Sequence, residues 1–186
     1  MDGHATCFPP RRQPSRWAAP LRDAPAFALR DAGPDDVRYL RDLYAASRAE
    51  ELAPIPWPAA AKRSFCDSQF DLQHRHYVAQ FATGDFLVVL HGDAAVGRLY
   101  LHESPGELRI VDILLDETVR GKGVGSALLR RLQQEVRERQ LATLALQVLV
   151  TNQAARRLYE RHGFMLEGDE TAMHLEMRWR PPRPSS

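Results

Sequence analysis

Three glycines and two cations stand together in the run Arg120-Gly121-Lys122-Gly123-Val124-Gly125, between an apolar segment and a helix-like pattern. Glycine permits backbone angles and close approaches that a side chain would block, so the amides of such a turn can point outward together. The first amides of the following helix, up to Ser126, lack acceptors inside the helix, and the helix dipole adds positive potential. We therefore predict a phosphate-binding turn here, with Arg120 and Lys122 supplying full charges.

The spacing of the glycines restricts which phosphate the turn can hold. A nucleoside-triphosphate loop needs G-x-x-x-x-G-K-[ST], and a dinucleotide fingerprint needs G-x-G-x-x-G. Neither spacing is present in the turn. A second pattern whose residues could take part in chemistry lies farther along the chain, in the segment NQAARRLYERHGF. Asn152 is its first residue, and Tyr159 lies within it. This segment has the cap and the terminal glycine of a short helix.

Composition is that of an ordinary globular protein. Of the 186 residues 44% are hydrophobic and 26% are charged, and the formal net charge is +1, so nothing calls for a nucleic-acid or membrane partner. The longest apolar run, Phe86 to Leu90, is far too short to span a bilayer. Two cysteines, Cys7 and Cys66, are too few for a disulfide framework. These features favour a cytoplasmic protein.

The chain is predicted to contain one folded domain with two disordered ends. Residues 1–26 are rich in proline, arginine and alanine and have no hydrophobic core of a secretory signal, so we expect a disordered tail. A transit peptide is a weaker alternative for this segment. We place the domain at residues 27–180 and a second disordered tail at residues 181–186.

The hydrophobic periodicity changes several times within this domain. The order is a short strand, two helices, three strands joined by tight turns, the helix after the glycine turn, a buried strand, a short helix and two closing strands. Short turns imply antiparallel neighbours, and a nearly continuous apolar strand, TLALQVLV, is typical of burial on both faces. We therefore predict an α/β (α+β) fold, with a mixed, mostly antiparallel sheet of about seven strands and helices on both faces.

Together the two motifs resemble the GNAT superfamily of N-acetyltransferases. The glycine turn fits Q/R-x-x-G-x-G/A, the later segment fits N-x-x-A-x-x-L-Y-x-x-x-G-F, and the predicted element order is that of the GNAT fold. The resemblance covers roughly Phe27 to Trp179. It implies an enzyme that moves an acetyl group from acetyl-CoA to a primary amine, by direct attack of the amine on the thioester.

The resemblance also implies roles for individual positions. In this family the strand RIVDILLD splays from the strand LALQVLV, and the pantetheine arm of acetyl-CoA fills the gap. Tyr159 would protonate the departing thiolate as general acid. The cofactor-binding positions would be the backbones of Ile113 and Leu115 for the arm, Arg120, Gly121, Lys122, Gly123, Val124, Gly125 and Ser126 for the pyrophosphate, and Asn152 near the pantetheine.

The general base is harder to assign. Several family members use a glutamate on the strand before Asn152, but Gln147 stands at that position, and an amide cannot act as a base at neutral pH. Asp112 is the next candidate, because it interrupts the apolar run RIVDILL beside the expected thioester. It could be the base, an anchor for a cationic amine, or both. The alternative is a structural carboxylate that is bonded to a neighbouring backbone group or arginine.

The acceptor stays open at this level. A small-molecule amine is favoured over a protein N-terminus or lysine, and a non-catalytic acyl-CoA-binding domain or an adaptor on the same fold are the other classes. The residues His74 to His76 do not suggest a metal site, because positions two apart diverge on a helix. We expect no metal, and homodimerisation through the last strands is left open.

Overall fold

A computed structural model describes residues 8–9, 15–168 and 173–182. Within them one sheet has the strand order β1-β2-β3-β4-β5-β6-β8-β7. The strands are β1 Pro20–Leu21, β2 Ala24–Asp31, β3 Asp85–His91, β4 Ala94–Ser104, β5 Glu107–Leu115, β6 Thr143–Leu149, β7 Met165–Glu167 and β8 His174–Trp179. All neighbours are antiparallel except β5 and β6, which are parallel. The predicted mixed, mostly antiparallel sheet is confirmed, with eight strands in place of about seven.

Helices cover both faces of this sheet, as predicted. They are α1 Val37–Ser47, α2 Ala49–Leu52, α3 Ala59–Gln80, α4 Val124–Glu138 and α5 Gln153–Arg161. Leu40 of α1 and Phe70 of α3 pack with Tyr100 of β4, whereas Leu128 of α4 packs with the adjacent residue, Leu99. Because successive side chains of a strand point to opposite faces, β4 separates two hydrophobic cores. The short helix α2 is additional to the two helices that the sequence predicted before the three strands.

The N-terminal segment differs from the predicted disordered tail. Residues 1–7 and 10–14 lie outside the described residues, but residues 15–26 are packed against the domain and include β1. Trp17 is fully buried, and its indole Nε1 donates a hydrogen bond to Asp85 at 3.0 Å. The Ser15 hydroxyl donates to the same carboxylate at 2.8 Å. Composition missed this because few apolar residues anchor the segment, and their partners lie far away in the sequence. At the other end, residues 183–186 of the predicted tail lie outside the described residues.

A bulge in β5 sets up the opening in the sheet. Tyr100 of β4 pairs with Asp112 and the next residue pairs with Ile110, so Val111 has no partner on β4. The parallel ladder between β5 and β6 joins Glu107–Ile110 to Thr143–Leu146 and stops there. Bulges bend a strand and redirect its side chains. From the bulge onward β5 and β6 run without pairing each other, which is the splay that the resemblance implied.

Candidate active site

The predicted phosphate turn is a left-handed entry into α4. Gly121 and Gly123 have φ angles of 73° and 79°, and a Cβ atom on either would meet nothing within 4 Å. The backbone angle, and not crowding, therefore selects glycine at both positions. Gly123 is the N-cap of α4, so the amides of Val124, Gly125 and Ser126 have no acceptor within the helix. The turn presents these donors at the positive end of the helix dipole.

The same turn is joined tightly to α5. A Cβ atom on Gly125 would lie 3.1 Å from the Leu158 side chain, so the two helices approach closely at this point. His162 caps the C-terminal end of α5, and its Nε2 lies 2.9 Å from the Ser126 hydroxyl oxygen. Gln133 of α4 donates a hydrogen bond to the His162 carbonyl at 2.7 Å. The turn and the helix that carries Tyr159 are thus held in one arrangement.

The two predicted cations lie at the rim of the turn. Lys122 and Arg120 are both exposed. The Arg120 Nε donates a hydrogen bond to the Leu115 carbonyl at 3.1 Å, and the guanidinium lies 3.5 Å from Glu117. Arg120 is therefore directed toward the end of β5 in this structure.

A cavity of about 540 Å³ lies where β5 and β6 part. Side chains from α3, β5, β6, α5 and β8 line it, and the predicted residues Asp112, Ile113, Asn152 and Tyr159 are among them. Leu115 and the turn residues 120–126 are not part of the lining. The predicted site residues therefore divide between a cavity at the gap in the sheet and a turn at the start of α4.

Tyr159 reaches the cavity from α5. Its side chain is buried, and its ring lies 5.8 Å from the ring of Phe164. Burial raises the pKa of Tyr159 to about 12, and the negative charge of Asp112 contributes in the same direction. The phenol therefore keeps its proton across the neutral range, as a proton donor must.

Asn152 begins the helix that carries Tyr159. The Asn152 side-chain oxygen accepts a hydrogen bond from the Ala155 amide at 3.1 Å, which confirms the predicted cap. The helix ends as predicted as well, because Gly163 follows its last turn with a φ of 77°. Both ends of this short helix are thus fixed by local signals, and Tyr159 is placed accordingly.

Asp112 is paired with a buried arginine of β4. The Arg98 Nε lies 2.5 Å from Asp112 Oδ2, and the two side chains are 3% and 19% exposed. Arg98 also donates to Gln73 of α3 at 2.8 Å, and its guanidinium carbon lies 5.4 Å from the centroid of the Tyr100 ring. The arginine-paired carboxylate, one of the alternatives that the sequence left open, is therefore present, although Asp112 still lines the cavity.

A second carboxylate near the cavity was not identified from the sequence. Glu176 of β8 lies opposite Gln147 of β6, and Arg109 binds it through two hydrogen bonds of 2.7 and 3.2 Å. Burial acts to raise the pKa of Glu176, but the hydrogen bonds and charge of Arg109 outweigh it and hold the pKa below the usual range. Glu176 is thus held as an anion. Its lowered pKa makes it a weak base, so it is a poor substitute for the glutamate that other family members have at the position of Gln147.

Two histidines, His76 of α3 and His174 of β8, also line the cavity. His74, two residues before His76, lies instead in the hydrophobic core, where its ring stacks on Phe70 at 5.4 Å. The two histidines of this helix diverge as the helical period requires. No group of three or more metal-ligating side chains occurs among the residues described. His174 was missed because the sequence gives no sign that β8 borders the cavity.

Residues 39–164 match the Acetyltransferase (GNAT) family model. The matched region is more than half of the chain and includes the glycine turn, Asp112 and Tyr159. The chain belongs to the GNAT acetyltransferase family. The resemblance that the two motifs indicated is confirmed.

Two curated relatives match over different lengths. A mycothiol acetyltransferase of Brachybacterium faecium is 27% identical over 173 residues, which are 87% of this chain and 49% of that protein. The uncharacterized N-acetyltransferase YycN of Bacillus subtilis is 41% identical over 73 residues, which are 37% of this chain and 47% of that protein. The chain therefore spans about half the length of these relatives.

Solved structures show the same fold. The PaiA N-acetyltransferase of Thermoplasma acidophilum in complex with coenzyme A has a TM-score of 0.64 and 15% identity, covering 83% of this chain and 99% of that one. RimL, a ribosomal L7/L12 alpha-N-protein acetyltransferase, has a TM-score of 0.60 and 20% identity, covering 92% and 98%. At these identities the likeness establishes the fold alone.

Acetyl-CoA is the cosubstrate of this family, and the residues present fit it. The turn into α4 offers a row of backbone donors suited to a pyrophosphate, and the gap beyond Ile110 leaves strand edges suited to an extended arm. Across the residues that the structure covers, no helix is both long and apolar enough to cross a membrane.

Proposed function

We propose that this protein transfers the acetyl group of acetyl-CoA to a primary amine, and to a small-molecule amine in preference to a protein. In the balanced reaction the amine nitrogen bonds to the acetyl carbon as the carbon–sulfur bond breaks, the amine loses a proton and the sulfur gains one. One observation carries the proposal: Asp112 and Tyr159 border a single cavity at the place where β5 and β6 separate.

The donor side is assigned to backbone groups. The amides from Gly121 to Ser126 would hold the pyrophosphate, and the exposed Arg120 and Lys122 would add charge at its rim. The edge of β5 at Ile113 and Leu115 would pair with the pantetheine arm, with Asn152 beside it. When bound, acetyl-CoA supplies the activated acetyl group.

Tyr159 is assigned as the general acid. Its burial beside Asp112 raises the pKa to about 12, so the hydroxyl carries its proton whenever the site is occupied at neutral pH. A sulfur that departs beside Tyr159 would accumulate negative charge, and proton transfer from the phenol relieves it.

Asp112 is assigned as the anchor of the amine. Its Oδ2 lies 2.5 Å from the Arg98 Nε, and the residue still borders the cavity. A fixed anion at this place attracts an ammonium group. The proton that the amine must lose would pass to one of the two cavity-lining histidines, His76 and His174, or to water, because imidazole is the commonest general base of enzymes.

A small acceptor fits the dimensions of the cavity. Its volume of about 540 Å³ lies within the range of about 300 to 1,000 Å³ that small-molecule sites occupy. Gln73, His76 and Tyr77 of α3 border it. Burial, followed by the charge of Asp112, raises the pKa of Tyr77 well above the ordinary value, so this phenol is a neutral hydrogen-bonding group toward the acceptor.

The test combines calorimetric titration with a screen for thiol release. Acetyl-CoA, desulfo-coenzyme A and ATP are titrated first, and the same protein is then assayed with acetyl-CoA over polyamines, amino acids, aminoglycosides and peptides with a free N-terminus or lysine. Tighter binding of acetyl-CoA than of ATP, with thiol release for a small amine, is expected. Release with peptides alone would replace the small acceptor by a protein. Binding without any release would favour a non-catalytic domain, and no binding would refute the donor assignment.

A further inference from the structure

The contact between His162 and Ser126 is not explained by the proposed mechanism. Ser126 lies in the first turn of α4, among the amides proposed to hold pyrophosphate, and its hydroxyl oxygen is 2.9 Å from the His162 Nε2. His162 is fixed from a second side, because Gln133 donates a hydrogen bond of 2.7 Å to its carbonyl. The backbone of His162 is therefore bonded to α4, the helix that also carries Ser126.

This hydrogen bond can run in two directions. If Nε2 is bare, the Ser126 hydroxyl donates to His162, and its proton is not available to an anion at the turn. If Nε2 carries a proton, it donates to the Ser126 oxygen, and the hydroxyl proton is released to point elsewhere. A protonated imidazole can only donate. Protonation of His162 therefore ensures that Ser126 can act as a donor to an anion at the turn, whereas the neutral ring permits this only in the tautomer that carries its proton on Nε2.

The surroundings of His162 favour the uncharged ring when no anion is near. Burial lowers the pKa of His162, and the positive charges of Arg130 on α4 and Arg161 on α5 lower it further. Arg130 is itself paired with Asp23. The exposed Arg120 and Lys122 at the rim of the turn also bring positive charge to this end of α4. A pyrophosphate at the turn would reverse the balance, because an anion next to the imidazole favours its protonated form.

We propose that His162 is a positioning residue of the coenzyme A site: binding of the pyrophosphate is coupled to uptake of one proton by His162, which turns the Ser126 hydroxyl toward the phosphate. The proton comes from solvent, and no bond to the ligand is made or broken. The inference rests on the proposed donor site, and it adds to that site a residue that neither motif contains as a fixed position.

The coupling makes the affinity depend on pH. By linkage, a group that takes up a proton on binding strengthens binding as the pH falls. Between about pH 8 and about pH 6 we expect the dissociation constant of acetyl-CoA to fall by about fivefold through His162, because a shift of one pKa unit corresponds to a tenfold limit. The phosphates of the ligand titrate in the same range, so the effect must be measured as a difference between proteins.

The experiment is calorimetric titration of acetyl-CoA over this pH range, in buffers of different ionisation enthalpy that report proton uptake directly. The wild type is compared with His162→Gln, Ser126→Ala and the control His91→Gln, which removes a histidine of β3 that stacks on Phe27. We expect proton uptake and the steeper pH dependence in the wild type and in His91→Gln, and the loss of both in His162→Gln and Ser126→Ala.

Each outcome decides a different part of the inference. Equal pH dependence and proton uptake in the wild type and His162→Gln would overturn it while leaving the donor site intact. Loss in His162→Gln with retention in Ser126→Ala would overturn the hydroxyl relay, since the histidine would then act by charge alone. If His162→Gln does not fold, NMR titration of the wild-type histidines with and without coenzyme A replaces it, and an unchanged His162 titration would again refute the coupling. No binding of acetyl-CoA by the wild type at any pH would refute the donor site itself.

Discussion

The donor and acceptor sides of the proposed site are built by different means. On the donor side the groups are mostly backbone: the amides at the start of α4, the left-handed Gly121 and Gly123 and the unpaired edge of β5 beyond Ile110. On the acceptor side they are ionised side chains brought together from separate elements, such as Arg98 with Asp112. A backbone site needs only the right local sequence, whereas an ion-paired site needs the whole sheet to be in register.

This difference explains why one side shows in the sequence and the other does not. Glycine spacing and helix caps are local signals, so the turn can be recognised within a few residues. The partner of a buried acid is set by strand order and register, which a single sequence does not reveal. On local signals alone, the donor side would tolerate changes elsewhere in the molecule and the acceptor side would not.

The largest effect on stability is expected from substitution of Trp17. It tests whether the donor side depends only on its local sequence or also on the N-terminal segment. Arg131 of α4 donates hydrogen bonds to the carbonyls of Trp17 and Pro20 at 3.3 and 3.1 Å, so the N-terminal segment braces the helix that carries the turn. Trp17→Ala should lower the free energy of unfolding by about 4 kcal/mol, because a fully buried indole is replaced by a cavity. Urea unfolding monitored by circular dichroism measures this loss.

The matched control is Trp57→Ala. Trp57 is 45% exposed, so its removal should lower stability by less than about 1 kcal/mol. Equal losses of stability in the two variants would mean that the N-terminal segment does not support α4. The donor side would then depend only on the local sequence of the glycine turn.

The second effect concerns the acceptor side, where one partner of the ion pair is far more buried than the other. Asp112→Asn removes the counter-charge of the buried Arg98 and should lower the free energy of unfolding by about 3 kcal/mol. The double variant Arg98→Met with Asp112→Leu replaces both charges by apolar groups and should recover most of that stability. Neither variant should bind the amine well, so Michaelis constants for the acceptor separate anchoring from folding.

A result in which Asp112→Asn keeps both stability and acceptor affinity would remove Asp112 from the site. Loss of stability with unchanged acceptor affinity in the surviving folded protein would assign it a structural role alone. Either outcome would mean that Asp112 does not anchor the acceptor.

Much of the fold follows from the sequence, while the ion-paired half of the site does not. The order of elements, the caps of α5 and the positions of Tyr159 and the glycine turn come from local patterns of hydrophobicity, glycine and asparagine. The pairing of Asp112 with Arg98, and the position of Glu176 and His174 near the cavity, depend on which strands are neighbours. The packing of residues 15–26 was missed for the same reason, since Asp85 holds Trp17 from a distant strand.

The third effect tests the backbone origin of the donor site. Gly123→Asp places a carboxylate at the positive end of α4 and imposes a side chain on a left-handed residue, so acetyl-CoA should bind about 100-fold more weakly. Gly92→Asp is the control, because Gly92 is also left-handed, with a φ of 59°, and also has nothing within 4 Å of its missing Cβ, but it lies in the turn between β3 and β4. Both variants should lose about 1 to 2 kcal/mol of stability. Weakened binding in both would indicate a general effect of strain rather than a phosphate site.

The smallest effect is expected at Tyr159. General acids usually contribute about 100-fold or more to a rate, but the thiol of an ordinary cysteine has a pKa of only about 8.5, so a sulfur departs as an anion more readily than an alkoxide does. We therefore expect Tyr159→Phe to lower kcat by about tenfold and to leave acetyl-CoA affinity unchanged, since the ring and its packing on Phe164 are retained.

The pH dependence of kcat sharpens this test. As the proposed general acid, Tyr159 would act in its protonated form, and its pKa is raised to about 12, so its ionisation should not limit kcat between about pH 6 and about pH 10. The shape of the wild-type and Tyr159→Phe profiles should be the same over this range and differ only in height. A decline of the wild-type kcat below about pH 10 that disappears in Tyr159→Phe would show that the phenol titrates in the working range. Burial would then not set the pKa of Tyr159.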